Sequence, residues 1–375
     1  MNRLILIGNG FDLAHGLETS YNAFILWYIK RAYKTCLEGD GYCDQLIELN
    51  NQYSIEYGID FSTVEKRIDQ IYDESKLNIL ASGQGLSSHY NGSTQHWFIT
   101  NYCSKLLMNL LTGCSDANWV DIENEYYREL IKTLDITNDN KRLTEVKLLN
   151  GSMQCLIDHL YIYINSLTEP EAVIGYDSIF DSPISVKDVH NPISVDPALH
   201  FTKDEHPKST LILNFNYSST LTRYSSLFNR LRIFVNHIHG RAVSNETALI
   251  FGFGDELDDN YTRIEKEKVK GFFSYMKSFG YFKTSRYREL VRYIDSGPYQ
   301  VFVLGHSCGL SDRTMLNMVF EHDNCWSIKV YYHKRADGTD NYTELTQEIS
   351  RHFKNKANMR VKVVDFEASF EMPQV

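Results

Sequence analysis

What the chain lacks narrows its class first. No two of its seven cysteines stand in a C-x-x-C pair, and their number is odd. A disulfide framework or a structural zinc is therefore not expected, no metal site is assigned, and a reducing compartment fits. Prolines are scarce, and five of the seven (Pro170, Pro183, Pro192, Pro197 and Pro207) fall in one short stretch. No apolar run approaches membrane-spanning length. The first residues are strand-like and run straight into glycines, unlike a signal peptide, so a cytoplasmic protein with no membrane partner is expected. Basic residues are too few for a generic nucleic-acid binder: 38 Lys and Arg stand against 48 Asp and Glu, a formal net charge of −10. What is plentiful is aromatic, 25 Tyr and 20 Phe, which suits broad packing surfaces or stacking on a base.

The chain is organised around its opening stretch, Arg3 to Gly16. Leu4 to Ile7 read as a strand buried on both faces. Gly8 and Gly10, flanking Asn9, let the backbone turn tightly and a ligand come close. Backbone N–H groups there suit a phosphate. A bulky side chain at Gly8 or Gly10 is accordingly expected to block the ligand and leave the fold intact. The alternative is a tight strand-to-helix turn with no ligand. The spacing is G-x-G, five residues, then Gly16, and not G-x-G-x-x-G.

Thr19-Ser20 caps a helix carrying Tyr21, Phe24, Ile25, Tyr28 and Ile29 on one face. From Cys36 to about Leu167 the periodicity is mostly helical. Val64, Ile68, Ile71 and Tyr72 form one stripe, and Phe98, Tyr102, Leu106 and Leu110 another. Val120–Leu134 and Leu143–Leu167 read as further helices, and 82–94 as a loop. The proline-rich stretch from Glu169 to Pro207 reads as a lid, a binding loop or a surface connection. Strands are then expected at Thr210–Leu213, Arg232–Val235, Ala248–Phe251, Gln300–Leu304, Ser327–Tyr332 and Arg360–Val364, with helices between them. The pattern predicts an α/β fold, a Rossmann-like doubly wound and mainly parallel sheet with a large helical insertion. Residues 1–35 and 208–375 would form the nucleotide-binding domain, and 36–207 the insertion with its proline-rich connection.

In such sheets ligands bind beyond the C-terminal strand ends. Those ends carry Gly8-Asn9-Gly10 with Asp12; Asn214, Phe215, Asn216 and Tyr217; His237, His239 and Gly240; Gly252, Gly254 and Asp255; and Gly305, His306, Ser307 and Asp312. The first strand should be central, with its glycine turn beside the ends that precede Asn214 and Gly305. Asp12 would repel a phosphate, and could hold a ribose hydroxyl or cap the first helix. Asp121 and Glu123, two residues apart, do not share a helix face.

The run G-N-G-F-D-L-A-H-G with Thr19-Ser20-Tyr21, W-V-D-I-E at Trp119 to Glu123, F-N-Y at Phe215 to Tyr217, H-I-H-G, and G-H-S with Asp312 resemble the AbiH family of bacteriophage abortive-infection proteins. More distantly, the glycine turn, N-Y, H-G and G-x-S series resembles sirtuin-like domains of phage defence, several of which bind or hydrolyse NAD. By that resemblance NAD is the substrate or ligand, and the protein cleaves the nicotinamide–ribose bond. Asn216 would sit by the nicotinamide ribose and His239 would act as general base or ribose contact. Gly8, Asn9, Gly10, Asp12, Tyr217, Gly252, Gly305, Ser307 and Asp312 would bind the nucleotide. A phage or defence-system protein would be the trigger, and the chain would form a homo-oligomer. Ser218 stands where sirtuins carry Asp, and their four-cysteine zinc module is absent, which argues against protein deacetylation. Two other functions stay open: a non-catalytic nucleotide sensor that binds a partner, and a serine hydrolase using Gly305-His306-Ser307-Cys308-Gly309, a G-x-S-x-G turn with Asp323, His333 and His352 downstream.

Overall fold

The computed structural model describes residues 1–81, 86–90, 93–116, 122–190, 203–243 and 249–375. The chain divides into two units, one of Met1–Thr19, Ile164–Tyr261 and Met276–Val375, the other of Ser20–Tyr163 and Thr262–Tyr275.

The first unit is a mixed α/β structure on a six-stranded, all-parallel sheet. Its strands are β1 (Asn2–Ile7), β2 (Thr210–Asn214), β3 (Ile233–His237), β4 (Tyr299–Leu304), β5 (Cys325–Tyr332) and β6 (Phe370–Glu371). Their spatial order is β6-β5-β4-β1-β2-β3. β1 is thus central, as expected, with Ile7 in register with Asn214 on one side and Leu304 on the other. Its four apolar residues are fully buried because both faces are covered. Leu4 and Leu6 pack with Leu213, Val301 and Val303 under the helices Arg286–Asp295, Arg313–Glu321 and Tyr342–Arg351. Ile5 and Ile7 pack with Ile212 and Phe302 against Tyr176, Phe180, Leu221 and Phe228. The proline-rich stretch therefore supplies core: Tyr176–Phe180 is a short helix whose aromatic rings cover the sheet, and Ile184 pairs with Glu205. Residues 191–202, with Pro192 and Pro197, lie outside the described residues.

Two expected strands are not strands. Ala248 lies outside the described residues, and 249–251 stay out of the sheet, where Ile250 N–H donates to the His239 carbonyl at 2.9 Å. Arg360–Val364 is mostly helix, Lys356–Lys362, because Asn355 caps it: its Oδ1 accepts from the N–H groups of Ala357 (2.9 Å) and Asn358 (3.4 Å). The Arg-Val-Lys-Val alternation fits either state, and the cap decides. The edge strand is instead β6. Between the Gly254 turn and β4, Asp259–Glu265 and Lys277–Tyr281 are separate short helices.

The second unit opens with the helix Tyr21–Glu38, capped as expected by Ser20, whose hydroxyl accepts from Ala23 N–H. It is less helical than its periodicity suggests. Tyr42–Cys43, Ile47–Asn50 and Ile99–Tyr102 form an antiparallel sheet, and Ser87–Tyr90, inside the expected loop 82–94, pairs with Ser93–His96 at its end, while 82–85 and 91–92 of that loop lie outside the described residues. The Phe98-to-Leu110 stripe is broken, since its helix starts only at Lys105, after Ser104, whose hydroxyl accepts from Leu107 N–H. Helices Ile122–Leu134 and Asp139–Ser166 match the expected pair. Trp119, Val120 and Asp121 lie outside the described residues. Among the described residues no helix is long and apolar enough to cross a membrane.

Candidate functional site

The turns leaving β1, β2 and β4 meet. A Cβ on Gly8 would lie 2.6 Å from His306 Cα, and one on Gly10 would lie 2.9 Å from the Gly305 carbonyl oxygen. Gly305 itself has φ +74°, and a Cβ there would lie 2.2 Å from Phe11 N. Gly10 N–H donates to Gly305 O at 2.8 Å and Phe11 N–H to Gly8 O at 2.9 Å. The missing side chains thus let two backbone turns touch each other. That differs from the expectation that these glycines leave an approach path for phosphate and would tolerate a side chain.

The polar residues around this junction serve it too. Asn216 is buried, and its amide donates to Gly8 O at 3.0 Å. Asn214 Oδ1 accepts from Asn216 N–H. Asn9 Oδ1 accepts from the Thr19 hydroxyl. Asp12 is closed to solvent; its Oδ2 accepts from Ser218 Oγ at 2.7 Å, and its Oδ1 has no partner. Burial raises the Asp12 carboxyl to about 6 despite the hydroxyls of Ser218 and Thr220 and the amide of Asn216. Tyr217 donates to the Ile250 carbonyl and stacks beside His239.

A charged centre lies beyond it. Asp312 follows the loop that leaves β4, and Lys277 opens the helix Lys277–Tyr281. Lys277 Nζ donates to Asp312 Oδ1 at 3.0 Å, and both side chains are buried. His239, four-hundredths exposed, places Nε2 3.2 Å from the same oxygen and 3.1 Å from the Tyr281 hydroxyl. Its ring lies parallel to that of Tyr281 and edge-on to Phe215. Burial alone would raise the Asp312 carboxyl, but Lys277 and His239 outweigh it and hold Asp312 well below the usual carboxylate range. Burial drives His306 down to about 4, against the pull of Asp312. Neutral His306 accepts from Cys308 N–H at 2.9 Å.

Asp312 and Tyr281 also line a cavity of about 540 Å³, with Glu256 and Thr314 beside them and Lys283, Arg288 and Arg292 exposed around it. Its volume is that of a small-molecule site. An ionised carboxylate held by an ammonium and an imidazole, opening into such a cavity, can fix a hydroxyl or stabilise positive charge on a ligand. Of the expected site residues, Asp312 alone lines it. Gly252 has φ +147° and is off this wall, where Gly254 stands instead. Lys277, Tyr281, Arg288 and Arg292 were not read from the sequence; none of them follows a strand end.

The G-x-S-x-G turn lacks a hydrolase's geometry. Ser307 is exposed, and the residue at positive φ (+55°) is Cys308. His352 Nε2 faces the Cys308 carbonyl at 2.7 Å, and among the described residues no histidine is hydrogen-bonded to Ser307. His333 and Asp323 are exposed. The nucleophile–base contact that serine hydrolysis requires is missing.

The structure defines a mixed α/β protein built on a parallel sheet, with a buried Asp312–Lys277–His239 cluster beside a cavity, and the fold alone names no function. The family model described as bacteriophage abortive infection AbiH matches residues 4–333. The chain belongs to the AbiH family, and that membership implies phage abortive infection. No curated protein and no solved structure matches it.

Proposed function

We propose that the protein is an abortive-infection effector that binds NAD or a related nucleotide in its parallel-sheet unit and cleaves the nicotinamide–ribose bond. The observation that carries this reading is Asp312, held ionised by Lys277 and His239 in the wall of the cavity that Lys283, Arg288 and Arg292 surround. The three cations suit the phosphates, and Asp312 suits the sugar. The strand order supports it: counted along the chain it is 3-2-1-4-5-6, the order of doubly wound dinucleotide-binding sheets, whose reversal falls between β1 and β4. In the proposed reaction the C1′–N bond breaks and its electron pair neutralises the pyridinium nitrogen. Asp312 faces the positive charge that develops on the ribose. Water then attacks C1′ and passes its proton by way of the Asp312 carboxylate to His239, whose Nε2 lies 3.2 Å from it, yielding nicotinamide and ADP-ribose. Asn216 acts as a positioning residue through Gly8. A phage or defence-system component would switch the effector on.

A second reading has its own support. Asn216 and His239 are buried and already hydrogen-bonded, as in a nucleotide sensor that turns nothing over. The experiment is nicotinamide release from NAD by the purified protein and by His239→Ala, Asp312→Asn and Ser307→Ala variants of matched stability. Loss of about a hundredfold or more in the first two, with Ser307→Ala near wild type, is expected. A wild type that binds NAD and releases no nicotinamide would favour the sensor.

A further inference from the structure

The second unit holds a cluster that this function does not use. Asp44 lies between the paired strands Tyr42–Cys43 and Ile47–Asn50, while Cys155 and His159 stand one turn apart on the helix Asp139–Ser166. One carboxylate oxygen, the thiol sulfur and one imidazole nitrogen lie within 4.8 Å of one another. Asp44 is fixed in place: its Oδ1 accepts from the N–H groups of Leu46 (2.7 Å) and Ile47 (2.9 Å). The hydroxyls of Tyr42 (2.6 Å) and Tyr28 (2.9 Å) donate to Oδ2. His159 Nε2 is 3.3 Å from that oxygen, its ring packs 4.8 Å from the ring of Tyr28, and its buried Nδ1 has no hydrogen-bond partner. All three residues keep partial exposure, which leaves a path for a hydrated ion.

We infer that Asp44, Cys155 and His159 form a binding site for a borderline-soft divalent cation, zinc above all. The donor set of carboxylate, thiolate and imidazole is the mixture zinc takes, and calcium or magnesium would avoid the thiol. Ligands about 2.0–2.3 Å from a tetrahedral ion stand about 3.3–3.8 Å apart, so small side-chain adjustments close the cluster on a metal. The tyrosine hydroxyls on Asp44 are the outer contacts that orient a ligating carboxylate. Three protein ligands leave a fourth position for water or for a group from solvent. The lack of C-x-x-C pairs does not bear on such a site, because it needs a single cysteine. Binding joins the strand turn to the long helix and displaces the Cys155 thiol proton.

The full chain, stripped with a chelator and resupplied with zinc or cobalt(II), tests this. One ion per chain, a raised Tm with zinc, and a thiolate-to-metal charge-transfer band with cobalt are expected. Cys155→Ser should abolish the band and weaken zinc binding at least tenfold, and His159→Gln should weaken binding comparably. Cys43→Ser with Cys103→Ser, which removes the two exposed thiols nearby, should keep both the band and the affinity. Absence of the band in wild type, its survival in Cys155→Ser, or its loss in the Cys43/Cys103 double variant would overturn the site. These readouts use wild type as well as variants, so a misfolded variant does not leave the question open.

Discussion

Single residues show how burial changes the meaning of a motif. Asp12 reads from sequence as a ribose contact or a cap of the first helix, yet it is buried and bonded to Ser218. Its carboxyl is raised from the ordinary 3.8 to about 6, so the folded state holds the proton more tightly than the unfolded one. Stability from this group is complete below about pH 4 and is lost as pH rises through about 6. Asp12→Asn should therefore raise stability at pH 7 by up to about 3 kcal/mol and change little at pH 4, read by denaturant unfolding at both pH values. Gly10→Ala should go the other way. Its Cβ would lie 2.9 Å from the Gly305 carbonyl oxygen, so a loss of about 1–3 kcal/mol is expected from overpacking. A variant as stable as wild type would mean that the turn yields and that an approach path exists after all. The sequence marks these glycines as special, but it cannot say whether a ligand or another glycine turn occupies the space.

At the scale of elements, what was legible follows from how strongly each segment specifies itself. β1, β2, β4 and β5 are short runs buried on both faces, and their apolar composition allows little else. Ser20 and the stripe behind it likewise fix the helix Tyr21–Glu38. The failures share a cause. Arg360–Val363 alternates like a strand but follows an asparagine cap, and Ile99–Tyr102 lies on a helical stripe but pairs with Ile47–Asn50. Long-range pairing and capping outweigh weak periodicity. The Lys277–Tyr281 helix was missed because five residues carry no readable period, and with it went the partner of Asp312. That helix has a measurable role. Lys277→Met leaves a buried carboxylate without its ammonium and should cost about 3–5 kcal/mol, most of it restored by adding Asp312→Asn. Equal losses in the single and double variants would show that the pair does not anchor the helix. Because Asp312 is held below its ordinary range, its contribution is present above about pH 4 and lost as pH falls, and Asp312→Asn should remove that acid sensitivity.

For the whole molecule, an anionic ligand has to overcome an acidic balance of charge. The formal charge of −10 repels phosphates in general. The cavity at Asp312 is an exception, with Lys283, Arg288 and Arg292 around it. Strand ends could be ordered from sequence, but the cavity is lined mainly by segments that follow no strand, so its position needed the fold. The most direct measurement is calorimetry of ADP-ribose against the wild type and an Arg288→Ala/Arg292→Ala variant of equal Tm. Both arginines are exposed helix residues whose removal should spare the fold. Wild type should bind one ADP-ribose per chain, and the double variant at least tenfold more weakly, with the difference shrinking as salt is raised. Absence of binding by wild type, or equal affinity in the two proteins, would contradict the placement of the nucleotide in this cavity.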